Sequence, residues 1–102
     1  MEISKQFFEE ILKEKFLHNN VTGIYCKVDG EIHCVKYNDF FFDCKKWALD
    51  NGYQISSKAV KGGGNANVSK ITEYYTRQRL RENSEVEAVI RATQWLYNKL
   101  KG

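Results

Sequence analysis

The chain has 102 residues, 42% hydrophobic and 14% aromatic, with a net charge of +3 at pH 7. This length suits one domain with its own core, and the composition excludes intrinsic disorder. No apolar run reaches the roughly 20 residues of a membrane-spanning helix, and the acidic, amphipathic start MEISKQFFEE is unlike a secretory signal, so a cytoplasmic location is expected.

Residues 4–18 place Phe7, Phe8, Ile11, Leu12 and Phe16 at helical spacing, with Glu and Lys on the opposite side, which predicts an N-terminal helix. Ser4 has the chemistry of its N-cap, Ile3 that of a staple onto Phe8, and Asn19-Asn20 that of its end. VTGIYCKVDGEIHCVKY (21–37) reads as a β-hairpin about Asp29-Gly30. A two-residue turn there would set Val28 opposite Glu31. A three-residue connection with a bulge would instead bring Ile24, Cys26, Val28, Ile32 and Cys34 to one face, with Lys27 opposite Glu31. The apolar pattern favours the bulged register, in which His33 faces Tyr25 and Cys34 points inward.

Asn38-Asp39 is expected to cap a second helix, FFFDCKKWALDN, closed by Gly52, with Phe40, Cys44, Trp47 and Ala48 on one face. YQISSKAV then reads as a strand, KGGGNAN (61–67) as a flexible hairpin loop, and VSKITEYYTRQRLRE as one long strand-like stretch. Ser84-x-x-Glu87 forms a capping box before the closing helix, EVEAVIRATQWLYNKLK. The order is one helix (4–18) followed by two ββα units, 21–52 and 53–102. The expected fold is α+β, a single domain over 1–102 in which a four-stranded, mostly antiparallel sheet is packed with helices.

Positive charge is concentrated late. Residues 1–56 hold seven Lys/Arg against nine Asp/Glu, and residues 57–102 hold nine against four. If 68–81 is extended, alternation aligns Tyr75, Arg77, Arg79 and Arg81 on one side at about 6.5–7 Å spacing, close to the interval between successive phosphates of a nucleic-acid strand. Tyr75 would offer a stacking surface, and Lys58, Lys61 and Lys70 flank the glycine loop. The same alternation describes a solvated strand whose arginines protect a sheet edge, with Glu73, Glu82, Glu85 and Glu87 near enough to offset the field. The glycine loop lacks the Lys-Ser/Thr ending of a phosphate loop and leads into a strand instead of a helix.

Cys26, Cys34, Cys44 and His33 come from alternating faces, so neither a metal site nor a Cys-His nucleophile is expected, and no cofactor is implied. The acids have simpler roles at helix starts and on polar faces, and no constellation names a reaction. The expectation is a protein that is not an enzyme. Phe40, Phe41 and Phe42 cannot all face inward from one helix, so Phe41 is expected either exposed or against the first helix, and an exposed Phe41 beside other apolar groups would mark a protein-binding patch.

WALDNGY (47–53), followed by a hairpin and then SEVEAVIRATQWL (84–96), resembles small uncharacterised proteins of bacteriophages and prophages, including those described as a phage α-β-α sandwich. The shared features are a Trp-containing helix that ends in Gly-Tyr before strands, and an acidic-capped closing helix carrying Glu87, Ala88, Ala92, Trp95 and Leu96. The match covers roughly residues 40–98 and consists of capping and packing positions. The resemblance implies an intracellular, virus- or prophage-encoded accessory protein that binds, and in some cases blocks, another protein. It brings no catalytic residues. Two functions are therefore expected to compete: a protein-binding module of that origin, and a nucleic-acid-binding accessory protein using Tyr75, Arg77, Arg79 and Arg81 with the Lys-flanked loop. An open sheet edge would also permit a homodimer.

Overall fold

Ser4 Oγ accepts a hydrogen bond from Phe7 N–H at 3.2 Å, and this cap starts helix α1 (Lys5–Leu12) of the computed structural model, which describes all 102 residues. The helix runs about two turns and then stops, because Lys13 takes the left-handed conformation at φ 59°. The helix expected over 4–18 is thus cut in half, and its second half is strand β1 (Lys15–Asn19). Glu9 Oε2 accepts from Phe16 N–H at 2.9 Å and ties the two pieces together. Phe16 still reaches the core, with its ring 5.5 Å from that of Phe8, but it arrives from a strand.

Strands β2 (Ile24–Val28) and β3 (Glu31–Val35) form the expected hairpin in the other register. Val28 faces Glu31 directly, and Asp29 and Gly30 both have positive φ, 52° and 82°, as a two-residue type I′ turn requires. Cys34 consequently lies opposite Tyr25 on the outer face and His33 opposite Cys26, the reverse of the pattern-based expectation. The physical reason is the position of β3. It is an edge strand with four of its five residues exposed, so of its apolar side chains only Val35 packs against the core, and the turn chemistry sets the register.

Helix α2 (Tyr37–Asp50) begins three residues before the expected FFF start, after Lys36, and Gly52 follows its end at φ 84°. Strands β4 (Tyr53–Val60), β5 (Gly63–Lys70) and β6 (Gln78–Glu82) and helix α3 (Glu85–Lys101) complete the chain. The single four-stranded sheet is overturned: there are two three-stranded antiparallel sheets, ordered β1-β2-β3 and β4-β5-β6. Each half of the α+β chain therefore reads βββα behind the leading helix. Two strands escaped the sequence reading, one inside the predicted first helix and one inside a loop-and-long-strand pair. The loop expected at 61–67 is mostly β5, with only Lys61-Gly62 turning, and the long stretch 68–82 breaks into β5, a turn over 71–77 and β6.

An aromatic chain holds the elements together. Phe16 of β1 touches Phe8, Phe8 touches Phe40 of α2 at 5.4 Å, Phe40 touches Phe7 at 5.7 Å, and Phe7 touches Tyr97 of α3 at 5.9 Å. Trp47 continues it, 6.3 Å from Tyr97, and is half-buried, as is Trp95. Helix α3 lies across all three strands of the second sheet, and α2 packs on α3 and β4. Ile55, Ala66 and Val68 point into these helices from the sheet and are buried. The opposite face of β4-β5-β6 is covered by no element of the chain. No helix is long and apolar enough to cross a membrane.

Candidate nucleic-acid interface

Strand alternation sends every second residue of the second sheet away from the helices, and the cross-strand register sorts these into rows. Lys58 pairs with Asn65 and Asn65 with Arg81. One step along, Ser56 pairs with Asn67 and Asn67 with Arg79. The result is a two-by-three lattice of Ser56, Lys58, Asn65, Asn67, Arg79 and Arg81, with strands about 4.8 Å apart and rows about 6.5–7 Å apart. These six side chains line a shallow concavity of about 470 Å³ on the open face. Three of them are cations and the other three are short hydrogen-bonding groups.

None of the acids close in sequence forms an ion pair with the lattice. Glu85 Oε2 accepts from Ser57 Oγ at 2.7 Å on the helix-covered side of the sheet. Glu82 is registered opposite Gly64, also on that side. Glu87 lies in the first turn of α3, where its N–H donates to the Ser84 Oγ cap at 3.1 Å. Glu73 takes Arg77: Nη2 reaches Oε1 at 2.6 Å and Nε reaches Oε2 at 2.9 Å. That hydrogen bonding holds the Glu73 carboxyl below its ordinary value and pushes the Arg77 guanidinium up, the signature of a matched pair. The ion pairs of the molecule are Lys13–Glu10, Arg77–Glu73 and Lys101–Glu10, and His33 Nε2 lies 3.9 Å from Glu31 Oε2. None uses Lys58, Lys61, Arg79 or Arg81, so the lattice carries uncompensated positive charge.

Of the residues singled out in the sequence, the fold brings together Lys58, Arg79 and Arg81, with Lys61 at the rim. Arg81 Nη2 donates to the Lys61 carbonyl at 3.2 Å, which holds the guanidinium over the β4-β5 turn. Tyr75 and Arg77 are not in a strand. They belong to the turn over 71–77, with the Arg77 guanidinium 5.5 Å from the Tyr75 ring, and Arg77 is already neutralised by Glu73. Lys70 pairs with Tyr53 on the helix side of the sheet and stays off the lattice. Phe41 is not the surface phenylalanine of α2. It is partly buried, edge-on to Phe42 at 5.0 Å with Lys45 over its ring, and Phe42 is the exposed one at 67%.

Asn65, Asn67 and Ser56 are the site residues that sequence reasoning missed. The signal for the two asparagines was the strict alternation Gly64-Asn65-Ala66-Asn67-Val68-Ser69, small or apolar against polar, which is a strand pattern masked by the preceding glycines, whereas Ser56 lies in the strand already expected over 53–60. The cysteines do not contribute. Burial pushes the thiols of Cys26 and Cys44 up, away from the thiolate form, and Cys34 sits on the other sheet. No group of three or more His, Cys, Asp or Glu side chains converges anywhere. Compared with protein-family models, curated proteins and solved structures, the chain matches none.

Proposed function

We propose that the protein is a nucleic-acid-binding accessory protein whose contact surface is the open face of β4-β5-β6. The observation that carries this reading is the acid-free lattice: Lys58, Arg79 and Arg81 are exposed, lack carboxylate partners, and occupy three corners of a lattice completed by two asparagines and a serine. Uncompensated Arg79 and Arg81, about 6.5–7 Å apart along one strand, with Lys58 across the sheet, suit a repeating phosphate ligand, and the neighbouring amides supply hydrogen bonds that a bare charge patch lacks. Nothing in the constellation performs a reaction, so the proposed role is binding.

A fluorescence-anisotropy titration against short DNA and RNA, single- and double-stranded, tests it. With two or three phosphate contacts, the logarithm of affinity is expected to fall with the logarithm of salt at a slope of about −1.4 to −2.7. Each of Lys58→Ala, Arg79→Ala and Arg81→Ala is expected to flatten that slope by up to about one, whereas Arg77→Ala changes it little because Glu73 already neutralises that charge. Absence of binding to every nucleic acid at low salt would sink the proposal.

A second reading, a protein-binding and host-blocking role, is supported by one observation on α2. Phe42 and Leu49, seven residues apart on one helix face, are 67% and 52% exposed, with Lys45 between them. It accords with the virus- or prophage-encoded, host-cytoplasmic context implied by the resemblance over 40–98. Under this reading Phe42→Asp abolishes partner binding and leaves the salt-dependent behaviour of the lattice intact.

A further inference from the structure

Resting on that nucleic-acid reading, we infer that the ligand is a single strand, its backbone along the β6 arginines and its bases turned inward over Asn65 and Asn67. The cations are distributed to one side. Arg79 and Arg81 stand in the β6 column, and β4 contributes Lys58 alone at the far corner. One sugar-phosphate backbone matches one column of guanidiniums. A duplex would present two backbones and place its base edges on a groove floor about 7.5–8.5 Å deep.

The middle column is built of short side chains. Asn65 and Asn67 cannot reach such a floor, but they lie within reach of bases laid flat on the sheet, and an amide can donate and accept at once against a base edge. Each row then offers an amide for the base and an arginine for its phosphate, at the spacing of one nucleotide per row. Beyond the Arg79 end of the column, the turn over 71–77 presents Tyr74, fully exposed, and Tyr75, 59% exposed. Their rings extend the track with stacking surface, which is the contact that unpaired bases offer and paired bases withhold. The turn that removed Tyr75 from the strand thus leaves it where a base leaving the lattice would pass.

The decisive comparison uses three probes at one low salt concentration: a fluorescent single-stranded 12-mer, the same sequence as a duplex, and inorganic polyphosphate of similar charge as competitor. The single strand is expected to bind at least tenfold tighter than the duplex. Asn65→Ala/Asn67→Ala and, separately, Tyr74→Ala/Tyr75→Ala are each expected to weaken the single strand by about tenfold, with competition by polyphosphate unchanged. The tyrosines sit in an exposed turn, so that variant keeps its fold whatever becomes of the asparagine pair. Duplex bound as tightly as the single strand, or polyphosphate matching the 12-mer with neither double variant mattering, overturns the inference and leaves the broader reading of the face standing. Binding of none of the three probes overturns both.

Discussion

Glu10 is one carboxylate serving three helices. Its Oε2 accepts from Trp47 Nε1–H of α2 at 3.3 Å and lies 3.4 Å from Lys13 Nζ, while Oε1 lies 3.5 Å from Lys101 Nζ at the end of α3. The indole hydrogen bond, more than partial burial opposes, holds the Glu10 carboxyl below its usual value, with Lys13 and Lys101 adding to the effect. A lowered folded-state value means stability that is present above the ordinary glutamate range and lost as pH falls through it. Glu10→Gln is expected to cost about 1 kcal/mol at pH 7, a charged hydrogen bond discounted for solvent screening. The gap in urea midpoint between wild type and variant should narrow from pH 7 to pH 3, as the lowered Glu10 carboxyl takes up its proton. An equal gap at both pH values would assign the effect to shape and not to charge.

At the scale of elements, the legible parts of the sequence were those with their own punctuation. Ser4, Ser84 and Gly52 marked the ends of helices, and the apolar faces of α2 and α3 were readable because those helices bury them. Strand β1 was illegible because Phe16 keeps helical spacing from Phe8 and Leu12, and only the left-handed Lys13 breaks the run. The arginine strip was half legible. Arg79 and Arg81 share the predicted face, but of the four acids expected to offset its charge only Glu73 pairs with an arginine, and it folds back on Arg77 in the turn. The glycine run misled most. It suggested a mobile loop, whereas Gly64 is in β5, where the start of α3 crosses the sheet and a Cβ would fall on the backbone of Ser84 and Glu85. Gly64→Ala must therefore push helix from sheet, at a cost of about 3 kcal/mol, the upper end for overpacking. Thermal melts should show that loss in Gly64→Ala. A melt unchanged from wild type would mean that α3 can shift freely over β5.

For the whole molecule, the question raised by two separate sheets is whether they fold as two units or one. The radius of gyration, 13.5 Å, is close to the roughly 13 Å of a single compact domain of this length. The buried residues form one cluster, which takes Ile24 and Cys26 from the first sheet, Ala66 and Val68 from the second, and Phe40 from the helix between them. Phe40 is wholly buried and its ring touches both Phe7 and Phe8, so the connection between halves passes through it. Phe40→Ala should then remove about 3–5 kcal/mol from the stability of the entire chain, as large-to-small changes at fully buried aromatics do. Trp47 lies near that junction and Trp95 on α3, which permits an optical test against far-UV circular dichroism. In wild type and variant alike, fluorescence and dichroism should report one coincident transition, displaced as a unit by the substitution. Hydrogen exchange adds the spatial answer: amides of β2 and β5 should lose protection together in Phe40→Ala. Protection retained in β5 while β2 exchanges freely would show instead that the second sheet with α3 is a self-sufficient unit, with the first sheet docked on it.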